Sequence, residues 1–302
     1  MSFPFYIVGP TAVGKSEIAG EVALRCNGEV VSADAFQIYA SLGLLTAKPD
    51  AELLRKVPHH LVGAVDLMTR MDAARFRRLA LRAIRAIYAQ GKPAFVVGGS
   101  GMYVKALTHG LSELPPGNTE LRASLNDLSA SELLRQLAEA DPETAQTIDG
   151  NNKHRLVRAL EVCLLSGRPI SAQRQRAEPP VAAAGVFLFR ERPELYARID
   201  ARVKWMFAND VVGEVRAAGR VGPTAAKTLG FQQIRDLIAG RISESECIAA
   251  IQQATRRYAK RQLTWFRRQS NFEPLNLSLH DSSEAIEWIA QKARLSFAPI
   301  DD

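Results

Sequence analysis

The chain has 302 residues, 47% hydrophobic and 24% charged, ordinary proportions for a folded protein. These values exclude wholesale disorder, a collagen-like repeat and a disulfide scaffold, and the length fits two domains or one domain with a large insertion. Lys and Arg total 39 against 32 Asp and Glu, a net charge of +7, so the location of the excess matters more than its size.

Cys26, Cys163 and Cys247 lie far apart with no C-x-x-C spacing, which fits reduced thiols in a cytoplasm. The N-terminus lacks the basic segment, long apolar core and cleavage site of a signal peptide. No apolar run approaches the roughly 18 residues of a membrane span. The expectation is a cytoplasmic protein without a membrane partner.

In chain order, Phe3–Val8 is a short apolar run rich in β-formers, followed at once by a glycine loop and a helical pattern. Val30–Ala33, Leu61–Val65 and Ala94–Val97 are further short runs. Between the last two, Phe76, Ala80, Ala83, Ile84 and Ile87 recur at helical spacing. Short buried runs alternating with helices indicate an α/β fold with a mostly parallel sheet. From Leu114-Pro115-Pro116-Gly117 to about Arg176 the pattern turns helical. A loose segment with Pro179-Pro180 follows, and Val186–Phe189 reads as a strand again. The simplest account is one α/β domain with a helical insertion. The tail beyond Ser270 carries no obvious chemistry.

Gly9-Pro10-Thr11-Ala12-Val13-Gly14-Lys15-Ser16 matches G-x-x-x-x-G-K-[ST] between a strand and a helix, the context in which such a loop cradles phosphates. Its N–H groups and the helix N-terminus would face the phosphate oxygens. Lys15 would supply a point charge, and the Ser16 hydroxyl would hold Mg²⁺. The motif leaves ATP and any other pyrophosphate ligand open.

Ligands of open α/β sheets bind beyond the carboxyl ends of the strands. Asp34, in Asp34-Ala35-Phe36-Gln37, follows the second run and is a candidate general base, or else a helix cap or a ligand of Mg²⁺-bound water. Ser100, in Val97-Gly98-Gly99-Ser100-Gly101, ends another strand, as a ligand contact or a plain turn. Thr46-Ala47-Lys48-Pro49 and His59-His60 read more readily as structural. Asp66, after Leu61–Val65, resembles a Walker-B carboxylate and keeps an ATP ligand in play.

The positive charge is concentrated. Ile251–Ser270 holds Arg256, Arg257, Lys260, Arg261, Arg267 and Arg268 with no acid, +6 in 20 residues. On a helix Arg257, Lys260, Arg261, Thr264 and Arg268 share one side, and Tyr258 and Trp265 interleave aromatics. This suits nucleic-acid contact or a solvated basic face. Gly150–Ala177 carries Lys153, Arg155, Arg158, Arg168, Arg174 and Arg176 against Glu161. Two basic surfaces on a phosphate-loop protein point to a polyanion.

These residues, in this order, resemble the tRNA dimethylallyltransferases over about Phe5 to Arg268. The landmarks are the phosphate loop; Asp34–Gln37 with Tyr39; Thr46–Pro49; His59-His60-Leu61; Gly98–Tyr103; Arg155–Val162; Leu195–Arg202; Leu229-Gly230-Phe231; and Tyr258–Arg267. The resemblance implies a P-loop NTPase-like, mostly parallel sheet flanked by helices, formed by 1–114 and 185–302. The helical insertion, 115–184, would contact tRNA. It implies transfer of a dimethylallyl group from dimethylallyl diphosphate to the exocyclic amine of the adenine 3′-adjacent to the anticodon. The cofactor would be Mg²⁺, the partner the anticodon arm of tRNA, and the enzyme a monomer.

Lys15, Ser16 and Arg202 would stabilise the leaving diphosphate and Asp34 would accept the amine proton, with Ser100 orienting a reactant. The implied tRNA contacts are Asp34, Ala35, Phe36, Gln37, Ser100, Arg122, His154, Arg155, Leu156, Val157, Arg158, Lys227, Thr228, Leu229, Gly230, Phe231 and Gln232. Arg257, Lys260 and Arg261 of the basic segment join them. Ala35 stands where Ser is usual, Ser100 for Thr, Leu45 where Gly is common, and Lys204 where Asp is common. A small-molecule kinase, a prenyltransferase of free adenine nucleotides and a non-catalytic tRNA-binding protein are the competing readings.

Overall fold

The structure is a computed structural model that describes residues 3–173, 183–269 and 271–297. Arg174, Arg176 and the pair Pro179-Pro180 lie outside the described residues. The chain divides into two compact units, Met1–Thr108 with Ala182–Asp302, and His109–Val181.

The first unit is built on six strands: β1 Phe5–Val8, β2 Glu29–Ser32, β3 His59–His60, β4 Ala94–Gly98, β5 Gly185–Phe189 and β6 Glu273–Asn276. They lie in the order β3-β2-β4-β1-β5-β6, with every pair parallel. Ile7 of β1 stands opposite Val97 and Val186. Parallel strands are covered on both faces, which is why the central runs are apolar throughout rather than alternating.

The helices of this unit are α1 Lys15–Arg25, α2 Gly43–Thr46, α3 Ala51–Lys56, α4 Ala73–Ala89 and α5 Gly101–Thr108. After the other unit's α6 Thr119–Asp127, α7 Ala130–Ala140, α8 Pro142–Thr147, α9 Lys153–Ser166 and α10 Ile170–Gln173 come α11 Arg192–Ala208, α12 Val211–Ala218, α13 Phe231–Ile238, α14 Glu244–Phe266 and α15 Ser282–Phe297. Successive β1 side chains part to opposite faces. Phe5 and Ile7 join the core of α1 and α15, with Ile18, Val22 and Ile289. Tyr6 and Val8 join that of α4, α5 and α14, with Phe76, Val104 and Phe266. No helix among the described residues is long and apolar enough to cross a membrane.

Two expectations need correction. Leu61–Val65 is not a strand. The edge strand is His59–His60, and Leu61 and Gly63 turn the chain with φ of 62° and 61°. Asp66 therefore ends no strand; its Oδ1 accepts from Met68 N at 2.7 Å on the exterior. The Walker-B reading falls with it. The tail beyond Ser270, in which no chemistry was expected, supplies edge strand β6 and helix α15, whose Ile286, Ile289 and Ala290 are buried. Pro274 within β6 is tolerated because an edge strand need not donate to a further neighbour.

The second unit has its own core, including Leu125, Leu133, Leu137, Leu156 and Leu160. Side chains of Asn118, Ser129, Asp141 and Asn152 accept backbone N–H bonds at the starts of α6, α7, α8 and α9. Asp141, only 1% exposed, accepts from Thr144 N, Thr144 Oγ1, Ser171 N and Ser171 Oγ at 2.7–3.0 Å. Burial alone would raise its carboxyl, but these four donors outweigh it and hold the pKa at about 2. A depressed folded-state pKa stabilises fully above the unfolded value, roughly 3.9, and is lost as pH falls towards 2. Asp141→Ala should lower stability at pH 7 by about 2–3 kcal/mol. Denaturant midpoints of wild type and variant should converge between about pH 4 and pH 2.

Candidate active site

The carboxyl ends of β1, β2, β4 and β5 open on one side of the sheet, where the glycine loop, Asp34, Ser100 and Arg190 follow them. Gly9 is required by packing as well as by turning. A Cβ there would stand 2.3 Å from the Leu188 carbonyl oxygen. Gly14 closes the loop at φ 104° and starts α1 with no side-chain cap. The first N–H groups of that helix are thus left for an anion.

Cationic side chains fix the loop from outside. Lys15 Nζ donates to Pro10 O at 2.7 Å, and Arg202 to Thr11 Oγ1 at 2.8 Å. Arg198 Nε donates to Ala12 O at 2.9 Å, and Arg190 Nε to Val13 O at 3.0 Å. Thr11 N donates to Gln262 Oε1 at 2.9 Å, while Gln262 Nε2 donates to Gly99 O at 2.8 Å. Gln262 is 5% exposed on α14, so this one amide ties the phosphate loop to the turn after β4. Burial pushes Lys15 down to about 8, partly offset by the Asp34 carboxylate. Burial also lowers Arg202, whose Nε is shut off from solvent without a hydrogen-bond partner.

Asp34 Oδ1 accepts from Phe36 N at 2.9 Å and Gln37 N at 3.2 Å. Both bonds fall on Oδ1, which leaves Oδ2 for other work. Ser100 Oγ accepts from Ala35 N at 2.9 Å, so one of its lone pairs is engaged in holding the Asp34 turn. Gln37 Nε2 donates to Ala47 O at 2.8 Å, anchoring the Thr46-Ala47 turn at the cavity wall.

Two cavities result. The larger, about 360 Å³, is lined by Gly14, Lys15, Ser16, Asp34, Arg198 and Arg202 among others, with His59 and Thr46 opposite the loop. The smaller, about 40 Å³, has walls that include Phe36, Leu45, Val203, Met206, Leu229, Ile251 and Tyr258. Thr11, Asp34, Thr46 and Arg202 line both. Thr228 Oγ1, on a residue 4% exposed, has no partner and belongs to the smaller cavity. Leu45, unusual for the resemblance, forms part of this wall, whereas Lys204 is on the exterior.

The tRNA-contact expectations separate into three groups. Lys227, Gln232, Arg257, Lys260 and Arg261 are exposed in the first unit, and His154 and Arg155 in the second. Leu156, Val157 and Phe231 are buried at 0%, 5% and 1%. Their side chains serve the cores, because leaving them in water would forfeit about 1.5–3 kcal/mol each. Arg122 and Arg158 are half-buried partners of the fully buried Glu161, at 2.8 and 2.6 Å. Their charge is answered within the protein, and they are less free for RNA than the resemblance implied. In the same way Arg256 of the basic segment is paired with Asp200.

Sequence reasoning did not find Arg190, Arg198, Gln262 or Tyr258 as site residues. Tyr258, read as an aromatic interleaved with the basic residues for nucleic-acid contact, stands 6.5 Å from the Phe36 ring, with the Arg261 guanidinium 5.6 Å from its own centroid. Burial, reinforced by Asp34, raises its phenol.

With this geometry in hand, the IPP transferase family profile matches residues 37–269. The chain belongs to the IPP transferase family. It is 39% identical to a tRNA dimethylallyltransferase of Akkermansia muciniphila, over 93% of this chain and 96% of that one. It is 43% identical to one of Geobacter metallireducens, over 87% and 89%. The tRNA isopentenylpyrophosphate transferase of Bacillus halodurans superposes with a TM-score of 0.72 at 32% identity, covering 98% of each chain. A eukaryotic dimethylallyltransferase acting on tRNA shares the fold with a TM-score of 0.83 at 23% identity, covering 100% of this chain and 81% of that one. The chain is therefore an enzyme of a tRNA-modifying prenyltransferase family.

Gln262→Met keeps the side-chain length but removes both polar atoms, orphaning Thr11 N and Gly99 O. It should weaken inorganic pyrophosphate binding about tenfold by titration calorimetry, the equivalent of one net hydrogen bond.

Proposed function

We propose that the chain transfers the dimethylallyl group of dimethylallyl diphosphate to the exocyclic amine of the adenine 3′-adjacent to the anticodon of tRNA. One observation carries this reading: a cationic cavity and a smaller recess walled in part by Phe36, Leu45, Val203, Met206 and Leu229 share Asp34 and Arg202 at their junction. A diphosphate belongs in the first, a short hydrocarbon suits the second, and a carboxylate stands where the two meet.

The amine nitrogen attacks the first carbon of the prenyl group, the carbon–oxygen bond breaks, and the diphosphate departs with the electron pair. The proton of the amine goes to Asp34 Oδ2. Lys15, Arg198, Arg202 and the N–H groups at the start of α1 stabilise the charge that collects on the leaving group. Arg198 and Arg202 are already held by their bonds to the loop, so they need little reorganisation as the bond breaks. The adenine amine is a weak nucleophile because its lone pair is delocalised into the ring, so removal of its proton matters as attack proceeds. The base must leave its stack, which costs a few kcal/mol, less in a loop than in a duplex.

A Mg²⁺ ion fits this site as a companion of the phosphates. The Ser16 hydroxyl lines the cavity beside Lys15, and among the described residues no cluster of three or more His, Cys, Asp or Glu forms a protein cage for a metal. Mg²⁺ commonly binds through one or two protein oxygens, phosphates and waters. Ser16 would hold it, and it would supply further neutralisation of the diphosphate charge.

A kinase reading lacks its Walker-B carboxylate once Asp66 is placed on the exterior. The test is incubation with unmodified tRNA, dimethylallyl diphosphate and Mg²⁺, followed by nucleoside mass spectrometry. Prenylated adenosine is expected, and its absence would overturn the proposal. Asp34→Asn should lower turnover about 10²–10⁴-fold with tRNA affinity nearly unchanged; equal losses in both would remove the base role. Because Lys15 is held at about 8, pyrophosphate affinity should fall as pH rises through 8. Lys15→Arg, charged throughout, should flatten that part of the profile.

A further inference from the structure

Helix α4, Ala73–Ala89, contains Arg75, Arg77, Arg78, Arg82 and Arg85 and no acidic residue. At 100° per residue, Arg75, Arg78, Arg82 and Arg85 fall within an arc of about 80° and span about 15 Å of helix. All four are exposed. Phe76, Ala80, Ile84 and Ile87 are buried and centre on the opposite side of the same helix. Arg77 stands apart from the stripe, donating from Nε to Ala106 O at 3.0 Å.

Among the described residues none of the four stripe arginines makes an ion pair; Arg75 donates only to the Arg70 carbonyl, at 3.4 Å. Helix stability does not call for this pattern. Like charges three and four apart repel. Arg75 stands in the first turn, where the helix dipole disfavours a cation, and Asp72 caps the helix through Arg75 N. An exposed helix selected only for solubility would mix the two signs.

The stripe belongs to the same layer as the other basic helix. Helix α5 packs against both α4 and α14, and all three cover one face of the sheet. The Phe76 ring stacks on Tyr103 at 3.9 Å, three residues beyond Ser100. The first turn of α4 is thereby packed against the helix that follows Ser100.

We propose that Arg75, Arg78, Arg82 and Arg85 form a phosphate-contact line for the backbone of the tRNA substrate, in addition to the exposed cations of α14. This rests on the tRNA reading above. The contact is sequence-independent, because guanidinium groups on phosphates position a nucleic acid without reading its bases.

The test uses the full chain carrying Arg78→Gln, Arg82→Gln and Arg85→Gln together, substitutions that keep helix propensity. Binding to an unmodified full-length tRNA transcript is measured over a series of salt concentrations. Loss of three phosphate contacts should reduce the slope of log affinity against log salt by about 2. It should also weaken binding more than tenfold at low salt, with the two proteins converging at high salt. The KM for dimethylallyl diphosphate should not change, which separates a lost RNA contact from a damaged fold. An unchanged slope and affinity, with wild type binding tRNA normally, overturns the contact line alone. Unchanged tRNA binding with lost capture on vesicles of equal phosphatidylcholine and phosphatidylglycerol overturns it in favour of a membrane surface. Failure of wild type to bind tRNA at all overturns the functional reading and the inference with it.

Discussion

The site depends on cations gripping the oxygens of one glycine loop. Four consecutive residues, Pro10 to Val13, each accept from a different lysine or arginine: Lys15, Arg202, Arg198 and Arg190. The grip therefore orders the loop and leaves positive charge around the space it encloses. Three of these side chains, Lys15, Arg198 and Arg202, also line the cavity and supply charge to it. The cost is burial of positive charge, visible in the lowered pKa values of Lys15 and Arg202.

The rest of the first unit serves this arrangement. A parallel sheet delivers the ends of β1, β2, β4 and β5 to one edge, so the loop, Asp34, Ser100 and Arg190 meet without long excursions of chain. Gln262 then reaches in from α14 and joins two of those ends. On α14 the Gln262 side is buried, while Arg257, Lys260 and Arg261 are exposed. The second unit solves a different problem. Glu161 and Asp141 are buried charges in a small core, and each is held by several donors. Removing one partner there would leave a charge without compensation.

How much of this was legible in the sequence follows from the distance over which each signal acts. The phosphate loop, Asp34 and the central strands are written in contiguous residues, and the structure places them together. The expected strand at Leu61–Val65 failed because apolar composition does not report backbone sign, and Leu61 and Gly63 turn with positive φ. Gln262 and Arg198 act on loop residues 251 and 186 positions away, and no local pattern announces such a bond. The pairing of Arg158 with Glu161 was readable from their three-residue spacing, but the resemblance carried both arginines of that triad over as RNA contacts. The α4 arginines were equally visible. The apolar period of that helix drew attention to its inner side, and the outer side went unread.

The bond from Lys15 to Pro10 O has a kinetic consequence. An anion reaching this amine competes with the Pro10 carbonyl for the ammonium charge and its N–H donors. Part of the attraction is cancelled on entry, and the same carbonyl reclaims the ammonium group when the anion departs. A loop built in this way trades tightness for speed of emptying, a useful bargain where the anion left behind is a product.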